Sequence, residues 1–479
     1  MHSSRFLLPL MLLSLLGGCA SLEQRFDKTR SDTTIAIPVR WDAPTPTSAA
    51  LAPDELARWW TRLADPTLDT LVATALNNAP DIRSAQAKLR QSRAAQALAV
   101  ANLAPSLDAS ASSTRALTGL AAGGSGTPQT LHAAGFDASW EPSIFGGLRD
   151  AAAGARADAD AMAASLAATQ VSLAAEVATQ YVTLRASQRR LAIAQANVIS
   201  QDETLQIAVW REMAGLVTAL DVEQARTNLA QTRATIPSLE SSRAGAEHRL
   251  ALLTGQPPAT LRQRLAIPAA LPEVPTDIAV GIPTDTLRQR PDVQAAELTL
   301  KAEIARSMQR EADRLPSLSL SGSFGWQATG IDALTGGTSA VRSLAASLAG
   351  NLFDGGRIRS RLAAQRAVEE QALIAWEKSL LTALEDVENA LTSYRVGRTR
   401  VDARRQAADA AGKAAQLART QYQAGIADFQ KVLETERTRL SAEDSLASAE
   451  ADLLNAVVQL YKALGGGWQT SQDSSDRPS

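Results

Sequence analysis

Cysteine, histidine and aromatic residues are scarce in this sequence, which has one cysteine, three histidines and 4% aromatic residues among 479 residues. A single cysteine excludes an internal disulfide and a thiolate metal cluster. The net charge of −2 argues against nucleic-acid binding. No segment after the N-terminal region has about 18 consecutive apolar residues, the length that a membrane-spanning helix needs. If the mature chain spans a bilayer, we therefore expect it to do so with strands.

The N-terminal residues 1–18 have the organisation of a secretory signal peptide. Arg5 supplies a positive charge, and Phe6–Leu16 form an apolar segment that is too short to span a bilayer permanently. Residues 16–19, which read LGGC, resemble the processing box of bacterial lipoproteins. This resemblance implies cleavage before Cys19 and its acylation, with palmitate among the lipids, and no other cofactor. Because Ala20 replaces the aspartate of an inner-membrane retention signal, we expect the lipid anchor to lie in the outer membrane.

The stretch 315–326, LPSLSLSGSFGW, alternates strictly between apolar and small polar residues. This period of two is typical of a strand, and its length and serine-rich polar face are typical of a transmembrane β-strand. An amphipathic strand of a soluble sandwich is the alternative. A second alternating stretch ends near Leu352 and is followed by a glycine turn. The pattern predicts a hairpin over about 316–352, with a helix joining each strand at the same end.

The same motifs occur twice along the chain. Pro80-Asp81 and Pro291-Asp292 lie 211 residues apart, as do Pro105 and Pro316. A single long period predicts an internal two-fold duplication of whole modules rather than a solenoid. We expect the following order: an extended arm at 19–53, a first module at 54–254 with a hairpin at about 105–142, a proline-rich linker at 255–283, a second module at 284–467, and a disordered tail at 468–479.

Each hairpin precedes an unusually long helical segment, predicted from Leu148 to Met213 and from Ile358 to Ala424. About 65 residues span on the order of 100 Å in an α-helix. Apolar residues at steps of four and three indicate a coiled-coil seam. Short glycine turns then reverse the chain into return helices at 219–253 and 429–464, and Pro237 should interrupt and kink the first of these.

Four membrane strands cannot close a barrel, and an open sheet leaves unpaired backbone groups in lipid. Two copies would give a small barrel filled by side chains, whereas three copies give a twelve-stranded barrel with room for a lumen. The sequence therefore predicts a mainly α-helical homotrimer with a transmembrane β-barrel, continued by a long α-helical barrel in the periplasm.

Taken together, these motifs resemble the TolC-like outer-membrane efflux family, in particular its NodT-type lipoproteins. The resemblance covers essentially the whole mature chain, and its motifs are the lipoprotein box at Cys19, both Pro-Asp helix starts, both strand starts, and the segments 353–357 (FDGGR), 422–425 (YQAG) and 461–468 (YKALGGGW). It implies a non-enzymatic, lipid-anchored homotrimer of the outer membrane that conducts small molecules passively. The implied partners are a periplasmic adaptor (also called a membrane fusion protein), an inner-membrane pump of the RND type, and the lipid of the outer membrane. The exit duct of a type I protein secretion system is the alternative, and a periplasmic structural coiled coil is a third possibility.

The resemblance also assigns roles to the two helical turns, where the family's tunnel closes and meets its adaptor. Six residues are expected adaptor contacts: Ala214, Gly215, Leu216, Arg419, Tyr422 and Gly425. Four residues are expected at the periplasmic entrance: Asp221, Asp428, Lys431 and Glu434. Three copies of Glu434 would form an acidic ring that attracts cations. Lys431 stands where some relatives have a second acid, which argues against a double ring.

Other chemistry-bearing residues have simpler interpretations. His132 and His248 lack neighbouring ligands at metal-binding spacing and should be structural or solvated. Glu385, Asp386 and Glu388 point in different directions on a helix and should form a charged coiled-coil flank. No phosphate-binding glycine motif is present. We therefore expect no metal site.

Overall fold

The computed structural model describes residues 21–33, 35–43, 51–117, 121, 127–275, 277–334 and 336–468. The predicted signal peptide, Cys19 and most of the tail lie outside these residues. The helices are α1 (Leu22–Ser31), α2 (Pro53–Ala57), α3 (Pro66–Asn78), α4 (Pro80–Ala101), α5 (Gly147–Met213), α6 (Ala219–Leu253), α7 (Arg262–Leu265), α8 (Pro283–Gln289), α9 (Pro291–Ala312), α10 (Arg357–Gln423) and α11 (Phe429–Ala463). The strands are β1 (Ser106–Ala116), β2 (Gln129–Trp140), β3 (Ser317–Ala328) and β4 (Ala340–Ala349).

The chain divides into two compact units. One contains residues up to Ile35, Lys88–Ala163 and Ala295–Glu377, and holds the sheet. The other contains Ala36–Ala87, Ala164–Gln294 and Lys378–Ser479, and is helical. Each unit thus draws on both predicted modules. The fold is mainly helical with a small antiparallel sheet.

The sheet consists of two hairpins side by side, in the order β1-β2-β3-β4 with every pair antiparallel. Both hairpins agree with the predicted positions, although β2 begins earlier than the alternation suggested. The prediction that the last strand extends to Leu352 is wrong. β4 ends at Ala349, and the Leu352 side chain beyond it is fully exposed, at 104%. Gly350 follows directly, at a position where a side chain would contact Pro316.

The prediction of an extended arm at 19–53 is wrong at the start of this range, where Leu22–Ser31 form helix α1. Ser21 and Gln24 make a capping box: the Ser21 hydroxyl accepts from the Gln24 amide at 3.3 Å, and Gln24 Oε1 accepts from the Ser21 amide at 3.2 Å. This arrangement satisfies two of the free donors at a helix start. Arg25 also pairs with Glu311 at 3.0 Å, which attaches α1 to α9.

The core of the helical unit forms where the return helices meet α3 and α5. Trp59 and Tyr461 are fully buried and stack with their ring centroids 5.2 Å apart. The proline-rich linker contributes to this core, because Leu265 and Ile278 are also fully buried. The linker therefore has little regular structure but packs as part of the unit.

The sequence predicted that Pro237 interrupts the first return helix, and this prediction is wrong. Helix α6 continues without a break from Ala219 to Leu253. A proline removes only one backbone donor and leaves the rest of a 35-residue helix able to form. Buried side chains on both sides of the proline, Thr232 and Leu239, hold the helix in place.

Helix α5 contains a window that is long and apolar enough to cross a membrane by composition alone. Half of that window is buried within the protein. A single window of this kind also occurs in helices that pack in a protein core.

Candidate functional site at the helical turns

The two turns that reverse the long helices share one backbone design. Gly215 and Gly425 have φ angles of +71° and +75°, a left-handed conformation that glycine adopts without strain. Each glycine amide donates back three residues, to Glu212 in the first turn and to Tyr422 in the second. The amide after each glycine donates back five residues. This is the double hydrogen-bond pattern of a helix C-terminus closed by glycine.

The start of each return helix is capped by an aspartate that the sequence had placed at the entrance. The Asp221 carboxylate accepts from the backbone amide and the hydroxyl of Thr218, at 3.0 and 2.9 Å. Asp428 accepts from the Lys431 amide at 2.9 Å. These bonds satisfy free amides at the two helix starts. In the single chain, both aspartates therefore have a local structural function.

A small apolar cluster fixes the two turns to one another. It consists of Ala208, Val222, Ala225, Tyr422, Phe429, Val432 and Leu433. The Tyr422 side chain is only 2% exposed and packs against Phe429, with ring centroids 5.4 Å apart. This burial leaves Tyr422 no surface for another protein, contrary to the predicted adaptor contact. The sequence analysis had assigned Tyr422 to the adaptor contact through the family resemblance alone.

Arg211 joins the first long helix to the end of the second. Its guanidinium lies 4.1 Å from the centre of the Tyr422 ring. Its Nη2 also donates to the backbone carbonyl of Tyr422 at 2.8 Å. One side chain thus combines a cation–π contact with a hydrogen bond to a carbonyl at the end of α10, which also accepts from the Gly425 amide. The sequence analysis assigned no role to Arg211 and missed this contact.

The outer surface of the turns is apolar and exposed. Leu216 is 71% exposed and Ile426 is 79% exposed, and Trp210 and Met213 are also exposed. Ala214, Gly215 and Gly425 are exposed as well. Several large apolar side chains together on a surface mark a site of contact with another molecule. The predicted contacts Ala214, Gly215, Leu216 and Gly425 belong to this surface.

The remaining predicted residues, Arg419, Lys431 and Glu434, take part in two ion pairs. Lys431 Nζ lies 3.0 Å from Glu434 Oε2 on the same helix. Arg419 pairs with Glu203 and donates to the Ser200 hydroxyl at 3.3 Å. The structure thus brings Lys431 and Glu434 together, whereas Asp221 and Asp428 each remain in their own cap. Arg419 connects α10 to α5 rather than standing free.

A buried polar layer that the sequence analysis missed lies beside the apolar cluster. Glu436 is 6% exposed, and its Oε1 accepts from the Thr204 hydroxyl of α5 at 2.7 Å. Among the residues that the structure describes, its other oxygen has no hydrogen-bond partner, and neither does the buried side-chain amide of Gln201. A sequence signal was present, because Glu436 follows Phe429 and Val432 at helical spacing on the apolar side of α11.

We expect the packing at this layer to weaken as pH rises. Burial raises the pKa of Glu436, against opposing effects of the Thr204 hydrogen bond and of Arg419 and Arg439. An acid with a raised pKa favours the packed state fully at low pH. That stability is lost between the ordinary glutamate pKa and the raised value. Glutamine is neutral at every pH, so in Glu436→Gln the stability of the packed layer should fall less steeply as pH rises.

The measurement is backbone hydrogen exchange of residues 419–436 in the two proteins from pH 4 to pH 8, corrected for intrinsic exchange. Glu434→Gln is the matched control, because Glu434 lies on the same helix and is exposed. An identical pH dependence in Glu436→Gln and the unmodified protein would contradict a buried titrating carboxyl.

The other chemistry-bearing residues do not assemble into a site. Asp386 pairs with Arg290 at 2.9 Å, while Glu388 accepts from the backbone amides of Asp42 and Ala43. His248 is exposed, and His132 lies on β2. Across the ranges that the structure describes, no group of three or more histidine, cysteine, aspartate or glutamate residues could hold a metal ion.

Comparison with known proteins agrees with this architecture. The sequence profile of the family described as outer membrane efflux protein matches residues 71–256 and 282–466. The pyoverdine export outer membrane protein OpmQ of Pseudomonas putida is 35% identical over 379 residues, covering 78% of each chain. Nodulation protein T of Rhizobium leguminosarum bv. trifolii is 30% identical over 347 residues, covering 71% of this chain and 73% of the relative.

The solved structure of the outer-membrane channel OprN superposes with a TM-score of 0.85 at 33% identity. The match covers 91% of this chain and 99% of OprN. The family match extends over both hairpins and both helical turns. The chain therefore belongs to the family of TolC-like outer membrane efflux proteins, as its motifs predicted.

Proposed function

We propose that this chain is one subunit of a homotrimeric channel-tunnel that passively conducts small molecules out of the cell. The observation that carries the proposal is the sheet, whose described edge strands β1 and β4 each pair on one side only. One face of the sheet is rich in serine, and the other carries leucine and aromatic side chains. Such a sheet can lie in a membrane only if further strands close it.

Three copies closing edge to edge give twelve strands, with the serine face lining a lumen. The recurrence of the family match in two parts of the chain supports the proposed duplication. Helices α5 and α10 are 67 residues each, about 100 Å long, which suits a conduit through the periplasm. No step of this function requires a catalytic group, because conduction is passive.

The assembly we propose has three further components. Acylated Cys19 anchors each subunit in the outer membrane, the exposed apolar turns bind a periplasmic adaptor, and an inner-membrane pump of the RND type supplies the substrate and the energy. The export function named for OpmQ supports small-molecule efflux rather than protein secretion. Asp221, Asp428, Lys431 and Glu434 would lie around the entrance in three copies.

Glu434→Gln tests the acidic entrance ring. We expect the reconstituted channel to lose part of its preference for cations, because three carboxylates would disappear from a narrow opening. Reversal potentials in a salt gradient measure this preference. Glu240→Gln, another exposed glutamate on a return helix, serves as the control. Unchanged ion preference and unchanged block by divalent cations would refute the ring.

In-cell photo-crosslinking tests the proposed partners. A photo-reactive residue at Ala427, in the second turn, should capture the adaptor of a proton-driven pump. The same residue at Ala403, exposed on α10, is the control for capture away from the turn. Capture at Ala427 of the adaptor of an ATP-driven protein exporter would instead support secretion. Capture only of structural envelope proteins would contradict both export functions.

A further inference from the structure

The two faces of the sheet differ in the sign of their charges. On the serine face, Asp108 and Asp137 stand directly opposite each other on β1 and β2. On the apolar face, the charged or titratable side chains are Arg115, His132 and Arg342. The described strands place no basic residue on the serine face and no acidic residue on the apolar face.

All three basic residues lie in the half of the sheet near the loops. Arg115 is the second-last residue of β1 and pairs with Thr130, and His132 pairs with Ala328 at the end of β3. Arg342 is the third residue of β4 and pairs with Phe324. The long helices join the sheet at its other end, so the loop end is the outer end in the proposed channel. The apolar face near the helices carries only uncharged side chains such as Leu318 and Leu348.

None of these three side chains forms an ion pair or a side-chain hydrogen bond in the part of the chain that the structure describes. Asp332, an acid in the loop between β3 and β4, pairs with none of them. A neighbouring subunit would not neutralise Arg342 either. Edge pairing of β4 with the β1 of a second copy would bring only leucine, alanine, serine and arginine to the apolar face.

An arginine on the lipid face of a barrel destabilises the protein strongly at the centre of the bilayer and only slightly at its surface. Its long side chain can extend toward the surface while its aliphatic part stays in the apolar layer. Phe324 and Trp326, which pack edge to face with centroids 5.2 Å apart, lie beside Arg342 and are typical of the interfacial aromatic layer. In the membrane orientation proposed above, the arginine head group would therefore lie at the level of the lipid head groups.

We propose that Arg115, His132 and Arg342 bind the phosphate groups of a phosphorylated lipid in the outer leaflet of the outer membrane. The proposal rests on the membrane orientation proposed above. Guanidinium groups bind phosphate oxygens through two parallel hydrogen bonds, which makes arginine well suited to this ligand. The loop-end position selects the outer-leaflet lipid, lipid A, over the phospholipids of the inner leaflet.

Native mass spectrometry of the purified full-length trimer tests this site. The probes are bisphosphorylated lipid A, lipid A without phosphate, and phosphatidylglycerol, each added to detergent-solubilised protein. We expect bisphosphorylated lipid A to be retained about ten-fold more strongly than either other lipid, a typical difference for one or two charge-assisted contacts. The double variant R115Q/R342Q should lose this preference.

The matched control is R359Q/R361Q, which removes two exposed arginines from the start of α10, at the opposite end of the sheet. It should retain lipid A as the unmodified protein does. Equal retention by R115Q/R342Q and the unmodified protein would overturn the proposal, as would equal binding of phosphatidylglycerol and lipid A.

Channel insertion into lipid bilayers separates failure of this inference from failure of the proposed function. R115Q/R342Q should remain trimeric and conduct, because neither arginine faces the lumen. If R115Q/R342Q conducts but has lost its preference for lipid A, the lipid site is supported. If the unmodified protein conducts without preferring lipid A, the lipid site is wrong and the channel function stands.

Discussion

Replacing Arg211 with alanine should loosen the two helical turns and raise the conductance of the channel. The substitution removes the hydrogen bond to the Tyr422 carbonyl and the cation–π contact with its ring. A hydrogen bond from a charged donor contributes about 1.5–3 kcal/mol. Loss of about 2 kcal/mol would shift the equilibrium between packed and open turns roughly 30-fold. No other polar side chain in the described turns joins α5 directly to the last carbonyls of α10.

Hydrogen exchange at residues 419–436 and single-channel conductance both report this change. Exchange of these amides should accelerate about ten-fold or more, because the free energy of opening the turns falls. Arg226→Ala is the control, since Arg226 is an exposed arginine on α6 whose one ion pair among the described residues is with Glu223 of its own helix. If Arg211→Ala leaves both exchange and conductance at the level of Arg226→Ala, Arg211 does not hold the turns together.

Replacing Arg185 with methionine should destabilise the helical unit by about 3 kcal/mol, the scale of several buried polar groups left unpaired. Arg185 is buried, and its guanidinium donates to the Tyr181 hydroxyl at 3.0 Å, to Gln188 Oε1 at 2.8 Å and to the carbonyl of Ile267 at 2.8 Å. The Tyr181 hydroxyl in turn donates to Asp65 at 2.6 Å. One cation thus connects α5, the linker and the cap of α3.

Tyr181 remains a donor in this network at all ordinary pH values. Burial, together with the hydrogen bond to Asp65, raises the pKa of Tyr181 to about 12 despite the nearby Arg185. Tyr181→Phe breaks the connection to Asp65 but leaves the Arg185 bonds to Gln188 and Ile267. It should therefore destabilise the unit less than Arg185→Met.

Chemical denaturation followed by tryptophan fluorescence measures both variants, because Trp59 and Trp60 lie in the core of the same unit. Arg404→Met is the control: Arg404 is an exposed arginine on α10 with no ion pair among the residues that the structure describes. A midpoint for Arg185→Met equal to that of Arg404→Met would show that the network contributes nothing measurable.

The sequence was sufficient for the parts of the fold that repeat a simple period. Alternation over 315–326 located β3, and the long helices followed from their heptad spacing and from the glycines at 215 and 425. These features depend on local backbone geometry, which neighbouring residues encode directly. The capping box at Ser21 was equally local and could have revealed α1.

The parts that the sequence did not reveal depend on contacts between distant segments. Tyr422 is buried because Arg211, more than two hundred residues away, covers its ring. Glu436 is buried because α5 packs against α11 and offers the Thr204 hydroxyl. A polar residue in a heptad can face either water or a neighbouring helix, and only the tertiary arrangement decides between them.

Single-channel recording in planar bilayers tests the central claim most directly, namely that copies of this chain close into a trans-membrane duct. With purified trimer, we predict discrete conductance steps of uniform size that prefer cations, because Asp108 and Asp137 lie on the serine face that would line the lumen of the proposed channel. The steps should be small in the unmodified protein and larger in Arg211→Ala. Folded, trimeric protein that gives no discrete steps in either form would contradict the account.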